Sequence, residues 1–330
     1  MIESTKVVTK SEDAYPAVSC AAADTTDLTD VTATVSIDVA TGYGKLFHVG
    51  DVIQIDSEYI WVSAVTTDKL TVTRNYGGTS ATHDSTATVY IRYNARLEGA
   101  DSSDSPWTEV TSNTNASVIL HKEVNISRDD LLFPNYGISN LEDYRININM
   151  DVLMEQLNRV PFYGQRYVGT TSVGRSAGGF GTFITTNATG LSSATLLRSH
   201  IDTEFQQIYA AGGKTDLIIC DAWFQRKIND FYEGFVTTER SETIGGMMIK
   251  KLMHPITGQL VNVIVDMHCP AGYAYLLDTR YAGYITIDPF FYERLSKTGD
   301  AIMGQTVGEY GLVVAANKFH SIISGYSTSA

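Results

Sequence analysis

Between Val49 and Arg92 the chain alternates apolar and polar positions in short runs. Val52, Gln54 and Asp56 fall on one side of a pleat, with Ile53 and Ile55 on the other. Tyr59-Ile-Trp-Val62, Leu70-Thr-Val-Thr-Arg74 and Ala87-Thr-Val-Tyr-Ile-Arg92 follow, separated by turn residues at Asp56-Ser57, Thr67-Asp68 and Asn75-Tyr-Gly-Gly-Thr79. Short β-branched runs at this spacing predict a compact antiparallel β module of four or five strands, inserted over residues 41–93. Residues 1–40 are rich in Ser, Thr, Asp and Ala without a sustained period. Two readings stay open there, a frayed terminus and an arm that orders against a partner. Residues 94–136 hold a polar stretch, then Val118-Ile-Leu-His-Lys-Glu-Val-Asn-Ile126, and read as a long two-stranded loop without a core of its own.

From Asn140 the period becomes helical. Ile146, Met150, Leu153, Leu157 and Val160 form one apolar stripe, and Leu141, Tyr144, Ile148 and Val152 form a second beside it. The spacing predicts a helix over 140–160, ended by Pro161 and Gly164, that meets material on more than one side. Glu155 and Arg159 stand one turn apart and can pair. Ser192 or Ser193 is expected to cap a helix carrying Leu197, Ile201, Phe205 and Ile208, which Gly212-Gly213 stops. Asp221 is expected to cap another, carrying Phe224, Ile228, Phe231 and Phe235. Strands are predicted at 216–220, 247–252, 259–265, 273–278, 284–288, 309–316 and 319–325. The class is α+β.

Composition adds little until charge is considered. Of 330 residues 43% are hydrophobic and 18% charged, with a net charge of -13. A strongly acidic chain repels phosphates, which argues against tight nucleic-acid binding by the whole chain. Lys250-Lys251, the nearest thing to a basic cluster, reads as the solvated edge of a strand. Cys20, Cys220 and Cys269 are odd in number and lack CxxC spacing, so neither a disulfide framework nor a zinc site is expected, and a reducing compartment fits. No apolar run approaches the roughly 18 residues a membrane span needs, and Met1-Ile-Glu-Ser-Thr-Lys6 is not a signal sequence, so synthesis in the cytosol is expected. With no secretion signal, the Asn-x-Ser/Thr triplets at Asn115, Asn125 and Asn187 are chance matches.

Candidate chemistry is sparse. Gly174-Arg-Ser-Ala-Gly-Gly-Phe-Gly-Thr lacks the Gly-Lys-Ser/Thr ending of a P-loop and does not fit GxGxxG, so a flexible hairpin is expected. His48, His83, His121, His200, His254, His268 and His320 show no metal-binding spacing, and no GxSxG elbow is present. Glu239-Arg-Ser-Glu242 reads as a solvated loop. No catalytic, cofactor-binding or metal-binding residue is assigned, and no cofactor is expected.

The order of landmarks from Arg96 onward resembles the major capsid proteins of tailed bacteriophages, which share the encapsulin-type shell fold. The helix ending in Arg159-Val-Pro-Phe-Tyr-Gly164 resembles the family's spine helix. Gly174 to Asn187 is similar to the segment before its axial domain, and Ala211-Gly-Gly-Lys-Thr-Asp-Leu-Ile-Ile219 to the entry of that domain. Tyr275-Leu-Leu-Asp278, Val307-Gly-Glu-Tyr-Gly-Leu-Val-Val314 and Asn317-Lys-Phe-His320 resemble later strands. The resemblance implies an N-terminal arm (1–40), an inserted β module (41–93), an extended loop (94–136), a peripheral domain (137–191 and 300–330) and an axial domain (192–299). It implies a non-enzymatic subunit that assembles with itself, as pentamers and hexamers, into an icosahedral head. That shell would enclose double-stranded DNA without sequence-specific binding. Further expectations are a portal partner, decoration or scaffolding proteins, no membrane, assembly in the host cytoplasm and residence in the virion. The alternatives are an encapsulin-like nanocompartment shell and, from another class, a phage tail or adhesion protein.

Overall fold

The computed structural model describes residues 6–8, 18–19, 35–78, 81–83, 87–100, 112–132, 138, 140–232, 236–240, 248–296 and 299–328. The chain divides into two compact units, Glu12–Val110 and Met1–Ser11 with Thr111–Ala330. Strand β1 (Lys6–Val8) belongs to the second of these. The first contains β2 (Val18–Ser19), β3 (Val35–Asp38), β4 (Asp51–Ile55), β5 (Glu58–Thr66), β6 (Lys69–Thr73) and β7 (Thr88–Asn94). They form one sheet in the order β2-β7-β4-β5-β6-β3, antiparallel throughout.

Alternation fills the core of this module from one face: Ile53, Ile55, Ile60, Val62, Leu70, Val72, Val89 and Ile91 pack together. The sheet has six strands where the sequence pattern predicts four or five. It also begins earlier, because Ile37 and Val39 enter the same core and β3 pairs with β6. These pieces of 1–40 are therefore ordered by their own chain. One buried carboxylate straps the loop after β6. Glu58 accepts from Arg74 Nε and Nη2 (3.1 and 2.6 Å), Asn75 N–H (3.2 Å), Ala81 N–H (2.9 Å) and His83 Nε2 (2.9 Å). Burial alone would raise its pKa, but these bonds, Arg74 foremost, hold it at about 2.

The second unit adds β8 (Ser112–Thr114), β9 (Val118–Ser127), α1 (Arg128–Leu132), α2 (Leu141–Tyr163), α3 (Phe180–Phe183) and β10 (Ala188–Gly190). It continues with α4 (Arg198–Ala210), β11 (Leu217–Cys220), α5 (Ala222–Phe231), β12 (Val236–Arg240), β13 (Met248–Met253) and β14 (Leu260–Val265). The remaining strands are β15 (Tyr273–Leu277), β16 (Ala282–Arg294), β17 (Ala301–Val314) and β18 (Ser321–Ser324). A two-stranded ribbon joins β1 to β8, a three-stranded sheet runs β16-β17-β9, and a seven-stranded sheet runs β10-β18-β15-β11-β14-β13-β12. Residues 94–136 thus depart from a coreless loop. β9 pairs along β17 for ten residues and buries Val124 and Ile126. Phe205, Ile201, Ile208, Phe224 and Ile228 of α4 and α5 pack on one side of the seven-stranded sheet with Ile218, Leu276 and Ile323.

Of the two expected helix caps one is found, at Asp221, and Asn140 provides a further cap that was not expected from sequence. Asn140 Oδ1 accepts from Glu142 N–H (3.0 Å) to start α2, and Asp221 Oδ1 accepts from Phe224 N–H (2.8 Å) to start α5. Ser192 and Ser193 do not cap α4; both take positive φ (46° and 68°) in the turn before it. Phe235 lies outside the described residues. Pro161 sits inside the last turn of α2, so the helix runs to Tyr163. Pro161 has no N–H for the Leu157 carbonyl, and the Tyr284 hydroxyl donates to that oxygen instead (3.2 Å).

The Gly174 stretch packs against the end of α2. Ser176 bridges to Tyr167, and Gly178-Gly179 are buried against the end of α2. A Cβ on Gly179 would lie 2.5 Å from the Pro161 carbonyl, and one on Gly164 2.5 Å from that of Ala177. Asn115 holds this junction, donating to the Gly178 and Leu312 carbonyls (3.1 and 2.8 Å) and accepting from Gly178 N–H (2.8 Å). Gly179→Ala should therefore destabilise the larger unit by about 1–3 kcal/mol. Gly181→Ala, whose Cβ meets open space, should leave the thermal midpoint within a degree or so. Thermal unfolding of the two variants side by side checks this.

Candidate functional site: an assembly surface

The described residues of the larger unit leave large apolar groups uncovered along two elements. Helix α2 turns its first stripe inward, where Leu153 is fully buried and Ile146, Met150, Leu157 and Val160 are half-buried. Its second stripe splits. Leu141 and Val152 are half-buried, while Tyr144 is 48% exposed, Ile148 42% and the neighbouring Met154 55%. The other element is β16, an edge strand of 13 residues. Among the described residues it pairs only with β17, and it exposes Tyr284, Ile287 and Phe291. A long exposed edge with apolar side chains invites pairing with another chain. Two register shifts around Pro289 interrupt it and keep it from being a uniform template.

An ion pair anchors this edge to the helix. Glu142, in the first turn of α2, accepts from Tyr292 Oη (2.8 Å) and Arg294 Nε (2.7 Å), with Arg294 Nη2 as a further donor. The Arg294 guanidinium holds the Glu142 carboxyl below its usual range, and the positive end of the helix dipole acts in the same sense.

The groups that could carry chemistry are committed elsewhere. Among the described residues no cluster of His, Cys, Asp and Glu has metal-holding geometry. Burial pushes the Cys269 thiol up to about 12 and the Cys220 thiol higher still, so neither is a ready nucleophile. Cys20 lies outside the described residues. Lys250-Lys251 sit on β13, which pairs on both sides and is not an edge. Glu239 and Arg240 lie on β12, where a loop is expected from sequence. A cleft of about 400 Å³ is lined by Arg198, Tyr232, Met253, His254 and Thr257. Two of its polar side chains are engaged: Arg198 pairs with Asp202 and stacks on Tyr232, whose hydroxyl donates to Asp202 (2.5 Å).

Two landmarks of the sequence meet in a buried knot. Asp278 accepts from Lys214 N–H (3.1 Å) and from Arg280 Nε (2.9 Å), while its own N–H donates to His320 Nδ1 (3.2 Å). His320 Nε2 then donates to the Ala315 carbonyl (2.9 Å). Both ring nitrogens are used by a neutral imidazole. The side chain that joins the late strands is therefore a structural one, and spacing alone gave no sign of it.

The SU10 major capsid protein family model matches residues 3–327. The chain belongs to this family. It is a structural major capsid protein that forms the head shell of a phage, and its place is the virion capsid. This decides against the nanocompartment and tail readings. Among solved structures, a chain of the cyanophage A-1(L) capsid is 13% identical with a TM-score of 0.53, covering 72% of this chain and 85% of that one. That likeness gives the fold, the mixed α and β architecture of phage major capsid proteins. A chain of the native GTA particle capsid (11% identical, TM-score 0.48, 70% and 80% covered) is also similar. So is one of the holo-SrpI encapsulin complex from Synechococcus elongatus PCC 7942 (12%, 0.45, 67% and 78%). No curated protein matches the chain in sequence.

The capsid protein's larger unit should lose stability in mild acid. Burial lowers the pKa of His320 in the folded state, and of His254 likewise, against about 6.5 unfolded. The unfolded chain then binds more protons, so the contribution is complete above about pH 6.5 and falls away as pH drops toward the folded pKa values, by at most about 1.4 kcal/mol per pH unit per proton. His320→Gln, which can still accept from Asp278 and donate to Ala315, should flatten part of this slope. Denaturant unfolding at several pH values between about 7.5 and 5 reads it.

Proposed function

We propose that the capsid protein builds its shell by burying the outer face of α2 and the free edge of β16 against neighbouring copies. The observation that carries this is the exposed row of Tyr144, Ile148, Met154, Tyr284, Ile287 and Phe291 beside an otherwise filled core. Residues 137–191 and 300–330, with α2 as spine, act as the peripheral domain. The seven-stranded sheet with α4 and α5 acts as the axial domain around five-fold and six-fold positions, where heterologous contacts close into rings. β16 goes with the peripheral domain and β18 with the axial sheet, which shifts the 192–299 boundary. The function is assembly, without catalysis.

The extended loop is best placed on the β1–β8 ribbon. Its two strands are adjacent in pairing but separated in sequence by the whole Glu12–Val110 unit. The β module is then an insert in that loop.

Charge supports a genome held loosely. Glu12–Val110 carries 15 Asp and Glu against 5 Lys and Arg, a net -10, whereas the rest of the chain carries 22 against 19. Such a distribution favours enclosing double-stranded DNA without gripping it. A portal, scaffolding or decoration proteins and assembly in the host cytoplasm complete the reading.

Tyr144→Asp combined with Ile148→Asp should leave the subunit folded, with an unchanged circular dichroism spectrum, because both side chains are exposed. It should abolish particles in sedimentation and negative-stain microscopy. Normal shells from the double variant would remove α2 from the interface.

A further inference from the structure

The module's second face is built with more order than an idle surface requires. Tyr59 on β5 and Tyr90 on β7 both stand opposite Gln54 on β4, so all three share one face. In the next row Trp61 and Tyr93 both stand opposite Val52. Tyr90 and Tyr93 are three residues apart and in a regular strand would point to opposite faces. The register shift between Val52 and Ile53 takes up Arg92 as an extra residue and brings both rings to the same side.

Polar groups lock this arrangement. The Arg92 guanidinium lies 4.9 Å from the centre of the Tyr90 ring, and its Nε donates to Gln54 Oε1 (2.7 Å). Gln54 Nε2 donates to the Asp56 carbonyl (2.6 Å), and the Trp61 indole N–H to the Ala95 carbonyl (2.9 Å). Tyr59, Tyr90 and Tyr93 remain 39%, 40% and 50% exposed. Within a row the flanking rings are two strand spacings apart, about 9.5 Å. The face is therefore aromatic and preorganised, with planar hydrogen-bonding groups fixed between the rings.

We propose that this face binds a neutral polysaccharide. Ring faces stack on the C–H faces of sugar rings, and the fixed guanidinium and amide meet hydroxyl groups between them. The Glu12–Val110 unit that bears this face has a net charge of -10, which disfavours phosphate and sulfate polymers; these share the stacking requirement but add like charge. It also opposes face-to-face pairing of two copies of that unit, since each brings the same charge. An uncharged, hydroxyl-rich chain meets both conditions.

The test is isothermal titration of the full-length capsid protein with maltohexaose, cellohexaose and chitohexaose, and with oligo-dT as the polyanion. At least one sugar should bind saturably, and oligo-dT should not. Tyr90→Ala and Tyr59→Ala should each weaken that binding about tenfold, while Tyr209→Ala, an exposed tyrosine of α4, should leave it unchanged. Thermal midpoints check folding; if an alanine variant melts early, Tyr90→Leu keeps the bulk without the aromatic face and should weaken binding alike. The proposal falls if none of the three sugars binds by ~10 mM, if the tyrosine variants titrate like the parent, or if oligo-dT binds more tightly than any sugar.

Discussion

The larger unit depends on one close approach of backbone to backbone. At the end of α2, Gly179 N–H donates to the Gly164 carbonyl (2.9 Å), and neither position has room for a side chain. From this point four parts of the chain are fixed together: the helix, the Gly178-Gly179 turn, the Asn115 turn ahead of β9, and β17 through the Leu312 carbonyl. Phe162, Phe180 and Tyr275 then pack ring against ring, with centroids 5.4 to 6.3 Å apart, and carry the junction into the seven-stranded sheet. A buried asparagine with its bonds satisfied can hold such a junction, whereas an unsatisfied one would undo it.

With that junction made, the unit has a covered side and an uncovered one. The first stripe of α2 packs inward, and the core strands are filled from both sides. Among the described residues, the exposed part of the outer stripe and the free edge of β16 are left uncovered. For a solitary protein this would be a hazard. For a capsid protein it is the surface we propose for assembly, and the bulges around Pro289 limit where pairing can start.

The acidic charge divides the molecule in a second way. Most of the net charge is carried by the Glu12–Val110 unit, through the segments that flank the β module, while the larger unit is nearly balanced. Surfaces that must meet copies of themselves are thereby spared strong like-charge repulsion, and the flanking segments carry the charge that keeps the particle soluble.

The sequence by itself determined the elements whose signal is local. Alternation placed β4, β5, β6 and β7, the four-three spacing placed α2, and Asn140 and Asp221 had only to reach their own next turn to act as caps. Composition misled at residues 1–40, where Val35-Ser-Ile-Asp-Val39 already alternates but lies among Ser, Thr and Asp. It misled again at 118–127, because a half-exposed strand has a weak pattern until β17 supplies its partner. Tertiary structure alone decided the pairing of β1 with β8, the burial of Gly178-Gly179, the role of Asn115 and the knot of Asp278 with His320. These join residues from 15 to nearly 200 positions apart, and no local period records a contact that only chain closure creates.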